Sequence, residues 1–240
     1  MKYIVMTFFL ALALTMMGIG INVFVSIIAS IALVVLGGMA CILVMRHENE
    51  KMRKLNEKMT KTKKMDGYVE AMEKIGRRTI WMNIYHQTLL NRGTAYINMG
   101  EYKKSLEVMD ELQKYKVNTE VRFLEIWNRL FAQTELRNYG QVQKLMKKYQ
   151  SLLDAYANAS ESIASRLEIF RYMAAGDNEA ALELVRACRE KCGENEQSAV
   201  DQLDFYEVRL CQLTGDHARA DELKKELRSR EVYPCIAKNL

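Results

Sequence analysis

From Tyr3 to Met45 the chain carries no charged residue, and from Arg46 onward it is strongly polar. The uncharged run is 43 residues long, about twice the ~20 residues that a helix needs to cross ~30 Å of hydrocarbon. It predicts a transmembrane helical hairpin in residues 1–45, with spans near 2–18 and 22–45, and Gly18, Gly20 and Asn22 offer the turn. Lys and Arg flank the run but are missing from that turn, which predicts an integral, multi-pass protein with its N-terminus and distal domain cytoplasmic. A bacterial cell membrane is the simplest host. Small residues of the second span (Ser26, Ala29, Ser30, Gly37, Gly38 and Ala40) would allow close packing within the hairpin or against a second copy, leaving room for a homo-oligomer. A cleaved signal peptide over residues 1–20 followed by one span is the competing reading. A single Lys, a long apolar stretch from Tyr3 to Met17 and the lack of a small-x-small site oppose it.

The net charge of +5 belongs to one segment, because residues 46–65 hold eight Lys or Arg against three Glu. From residue 66 onward, 26 basic residues face 27 acidic ones. A reader of nucleic acid concentrates basic charge on the domain that does the reading, so no nucleic-acid partner is expected. Residues 46–65 predict a basic juxtamembrane helix, with Arg46, Lys51, Arg53, Lys54 and Lys58 available to membrane lipids through their headgroups, at roughly 1 kcal/mol each near the surface. The plainer role of these cations is to set topology.

Four segments align around a turn residue: Tyr96 to Ser105, Gln133 to Val142, Tyr172 to Ala181 and Cys211 to Ala220. Each places the turn (Gly100, Arg137, Gly176, Gly215) four residues after a helix-lining position, and a small or medium residue five after the turn. A half-match begins at Asp66. Between turns the apolar residues recur at helical spacing, as in Leu106, Met109, Leu112 and Tyr115, or Leu182, Val185 and Cys188, so each helix has one face to bury. Pairs of this kind bury their remaining surface by stacking.

The period and the Gly-Asp or Gly-Glu turns resemble the tetratricopeptide repeat. Leu89, Gly93, Tyr96, Gly100, Tyr102 and Ser105 fall where that family places its large, small, aromatic, turn, aromatic and small residues. The unit at Arg137 lacks the turn glycine, the terminal Pro of the repeat is missing, and three intervals exceed 34 residues. The resemblance covers residues 52–230, with 231–240 left as a tail. It implies an all-α solenoid of four to five helix pairs. It also implies that the first helix of each pair lines a concave groove, which selects Gln87, Asn91, Asn98, Trp127, Phe131, Arg166, Phe170, Phe205 and Arg209. Aromatic and Arg side chains suit a protein-binding surface, although aromatics at helical spacing also serve as core. The Lys and Asn set of the family's chaperone-tail clamp is incomplete.

Other chemistry is weakly represented. Cys188 and Cys192 share a helix face but lack a second metal-ligating pair. His47, His86 and His217 lie in separate units, and no Gly-rich phosphate loop occurs. The expectation is therefore a non-enzymatic, membrane-anchored adaptor without cofactor or metal, binding a protein partner. The alternative is an assembly subunit that oligomerises through its membrane hairpin, with the solenoid as spacer.

Overall fold

The computed structural model describes residues 23–193 and 196–240, which contain helices and short connections but no strand. In order they are α1 (Val23–Thr62), α2 (Tyr68–Arg78), α3 (Met82–Asn98), α4 (Tyr102–Gln113), α5 (Thr119–Glu135) and α6 (Tyr139–Lys148). They continue as α7 (Gln150–Ala159), α8 (Glu161–Ala175), α9 (Asn178–Glu190), α10 (Gln197–Thr214), α11 (His217–Arg228) and α12 (Pro234–Ala237). The fold is all-α. Within residues 231–240, expected to be a tail, Pro234 opens α12, where its missing N–H removes no helical bond.

The four aligned turns share one backbone construction. Gly100, Arg137, Gly176 and Gly215 all take left-handed conformations, with φ of 77, 57, 80 and 90°. The residue after each turn donates its amide back across it: Glu101 to Tyr96, Asn138 to Gln133, Asp177 to Tyr172 and Asp216 to Cys211, at 2.8 to 3.0 Å. This six-to-one bond satisfies carbonyls that the end of a helix leaves without partners. Asp177 and Asp216 then cap the next helix, accepting from the amides of Ala180 and Arg219. In the earlier half-match the left-handed residue is Gly67 (φ 68°), one position beyond Asp66.

Five residues past each turn, Ser105, Val142, Ala181 and Ala220 are at most 1% exposed. Their small size lets the second helix lie close on the first. Helix pairs then pack on their sequence neighbours, with α3 also touching α5 and α5 touching α8. The largest apolar cluster runs from α5 through α8 to α10, by way of Ile126, Leu130, Phe131, Ile169, Phe170, Met173, Tyr206 and Leu210. A separate cluster holds the C-terminal half of α1 to α2 and α3 through Met52, Met65, Tyr68, Met72 and Ile84. The second half of the unit at Arg137 is broken at Tyr149 into α6 and α7, which lengthens the interval to the next turn.

The expectation of an integral, multi-pass membrane protein is corrected here. Among the described residues, no helix is long and apolar enough to cross a membrane. The first expected span lies outside the described residues. The second falls within α1, which runs without a break into the charged stretch after Arg46. The part of α1 before Arg46 carries no charged residue. Ile31, Val34, Val35, Leu36, Met39, Ile42, Leu43 and Val44 in this stretch are exposed.

Candidate functional site

The first helices of successive pairs converge on one hollow of about 240 Å³. Asn98 comes from α3, Phe131 from α5, Arg166 from α8, and Gln202 with Phe205 from α10; Tyr102 of α4 adds its ring. Arg166 donates through Nη1 to Gln202 Oε1 at 3.2 Å, tying α8 to α10. Of the residues selected from the sequence, Asn98, Phe131, Arg166 and Phe205 meet here.

The remaining selected residues lie elsewhere. Gln87 and Asn91 are bonded to each other at 3.2 Å. They line an open cleft against Met52, Arg53 and Asn56 of α1. Trp127 is half-buried and sets its ring edge against Phe170, with centroids 5.8 Å apart. Phe170 in turn meets Phe131 at 6.3 Å in a T-shaped pair. Phe131, Phe170 and Phe205 are 9%, 2% and 3% exposed, so most of their surface joins helices to one another. Arg46, Lys51, Arg53, Lys54 and Lys58 are exposed on α1. Arg53 is paired with Glu50 and Glu57, and Lys54 with Glu50.

Behind the hollow sits a polar cluster that the sequence did not disclose. Arg209 donates to Glu135 Oε2 at 2.8 Å, and the Tyr102 hydroxyl donates to the same oxygen at 3.3 Å. The guanidinium of Arg209 also lies 5.8 Å from the centre of the Phe205 ring. Burial raises the Glu135 carboxyl above the usual carboxylate range, against the opposing pull of Arg209. Burial likewise pushes up the Tyr102 and Tyr206 hydroxyls. Glu135 Oε1 and the Tyr206 hydroxyl are buried without a hydrogen-bond partner, a costly arrangement in an apolar interior.

A second polar system runs along α10, where Asp201, Asp204 and Glu207 are at most 2% exposed. Lys63 donates to Asp201 at 2.7 Å. Arg189 and Arg230 hold Asp204, and Arg186 and Arg219 hold Glu207. The spacing of the acids, at i, i+3 and i+6, was the available signal, since it places three charges on one helix face beside Leu203 and Leu210.

Cys188 and Cys192 are half-buried, and Cys192 Sγ donates to the Cys188 carbonyl at 3.5 Å. Among the described residues, no group of three or more His, Cys, Asp or Glu is placed to hold a metal ion. Nothing among family models, curated proteins and solved structures matches the chain.

Proposed function

We propose that the chain is a protein-binding scaffold, its helix pairs being tetratricopeptide-like units whose inner face docks a segment of a partner protein. The observation that carries this reading is the hollow, where side chains from four successive first helices meet. The repeated turn construction supports equivalent units. Aromatic and Arg side chains at the hollow are the types that dominate binding energy at protein interfaces.

The test uses residues that line the hollow without forming the core. Arg166→Glu and Gln202→Ala, in the full chain, are expected to abolish capture of a partner by the immobilised protein while leaving helical content and melting temperature close to those of the parent. Capture of the same partner by both variants would exclude the inner face. Trp127 and Phe131 are unsuitable for this purpose, because truncating either removes interior packing.

A second reading rests on a separate observation, the apolar side chains exposed along α1 from Ile31 to Val44. Burying that stretch between copies would make the chain an assembly subunit with the stack as spacer. Sedimentation of the full chain beside Leu36→Glu and Leu43→Glu variants distinguishes the two, since only self-association through α1 is weakened by added charge.

A further inference from the structure

Residues 231–240 do not extend the stack; they fold back across it. Cys235 and Ile236 are 7% and 4% exposed and join Phe205, Val208, Leu223 and Leu227 in a cluster of their own. The same segment reaches the far end of the stack. The Cα of Cys235 lies 3.5 Å from where a Cβ on Gly100 would stand, and Lys238 Nζ donates to the Met99 carbonyl at 3.1 Å. Lys63, in the turn after α1, donates both to Asp201 at 2.7 Å and to the Glu231 carbonyl at 2.5 Å. Helix α12 is thus packed against α3 as well as against the last pair.

Tyr233, Cys235 and Ile236 line the hollow together with Asn98, Phe131, Arg166 and Gln202. The tail therefore covers the place where the inner face would receive a partner. Its hold is modest, because α12 buries only two side chains, whereas α10 buries nine residues. Its links to α3 and to the turn after α1 include two lysine bonds to backbone carbonyls: the Glu231 carbonyl that Lys63 holds could be replaced by any peptide carbonyl, and Lys238 on the Met99 carbonyl by another cation.

We propose that residues 231–240 are a releasable plug, and that the seat they occupy takes a partner segment of the same pattern: an aromatic residue, Pro, a small residue, then a branched aliphatic with a cation two positions on. This inference rests on the inner face being the docking surface. Opening of the tail alone is a local event, separable from unfolding of the stack. While seated, the segment is present at high effective concentration and excludes competitors. Release exchanges one covalently attached occupant for another of like chemistry.

Cys235 provides a probe within the natural sequence. Burial, with the nearby Glu135 charge as the next contribution, pushes its thiol up to about 12. The seated thiol is therefore protected and the released one reactive. Cys211, 0% exposed in the stack, is the internal control.

Full-length protein is alkylated with iodoacetamide, and each cysteine is followed by peptide mapping. Cys235 is expected to react about ten-fold or more faster than Cys211, reporting release without unfolding. A labelled synthetic peptide of residues 231–240, with Ser in place of Cys235, is then titrated against the parent and against Ile236→Asp, which places a charge in the apolar seat of the tail. The variant is expected to bind the peptide about ten-fold or more tightly than the parent, because its own tail no longer competes. Equal alkylation rates at Cys235 and Cys211 would overturn the plug while leaving the inner face open to the capture test above. Equal peptide affinity for the two proteins would overturn it as well. The alkylation arm needs no substitution, so a failure of Ile236→Asp to fold does not protect the proposal.

Discussion

Arg137 holds a left-handed backbone where the three equivalent turns carry glycine. A Cβ in that conformation costs about 1–2 kcal/mol, partly offset by the greater freedom glycine has when unfolded. Arg137→Gly is therefore expected to stabilise the chain by roughly 0.5–1 kcal/mol, seen as a higher urea midpoint. Gly215→Ala should lower that midpoint, through a loss of about 1 kcal/mol in stability. His86 gives a pH dependence. Its imidazole packs beside the rings of Tyr85 and Tyr115, and burial holds it below its ordinary value. The unfolded chain thus takes up a proton near pH 6.5 that the folded chain resists, so this contribution to stability is full above that pH and is lost as the solution is acidified through it. Glu135, raised by burial, acts in the opposite sense, adding stability as the pH falls toward its ordinary value. Urea midpoints between about pH 8 and pH 5.5 should fall for the parent and fall less for His86→Gln. The turns were legible in the sequence because a left-handed backbone selects its residue, and Arg137 was found by register alone. The roles of Phe131 and Phe170 were not legible, because helical spacing does not separate a hollow-lining face from the adjoining packed one.

At the level of the helix, the position five after each turn controls how closely a pair can approach. Ala220 is 1% exposed against its neighbours, so Ala220→Leu is expected to cost about 1–3 kcal/mol through overpacking. A fall in melting temperature with unchanged helical content would check this. Asp204 tests the charged face of α10. Its removal takes the carboxylate partner from the partly exposed Arg189, while Arg230 keeps Glu226 and Asp201, and Asp204→Ala is expected to cost about 1–3 kcal/mol. A loss below about 1 kcal/mol, measured by urea unfolding, would show that Arg189 finds water instead. The existence of these helices and of their apolar stripes was readable from periodicity, since each stripe must be buried. The acids of α10 were not assigned to the interior, because a carboxylate is ordinarily placed outward and its burial depends on arginines supplied by other helices.

Over the whole molecule, the apolar stretch of α1 stands apart from the packed body. Described contacts with the body begin near Met45 and Met52. Replacing the exposed Leu36, Met39 and Leu43 with Ser is therefore expected to leave the melting temperature of the body nearly unchanged and to raise solubility, as light scattering would show. The all-α class and the positions of the turns were legible from the helical spacing of apolar residues and the recurring turn residues. The return of residues 231–240 was not, because it joins Lys63 to Glu231 and Lys238 to Met99 across more than a hundred residues, a distance at which no local pattern speaks. That return has a consequence for how such a protein can change. Open stacks tolerate gain or loss of a unit, because each unit answers only to the next. Here a strap buckled between the two ends fits one number of hairpins, so duplicating or excising a single pair would leave the buckle short or slack however well the new pair folded.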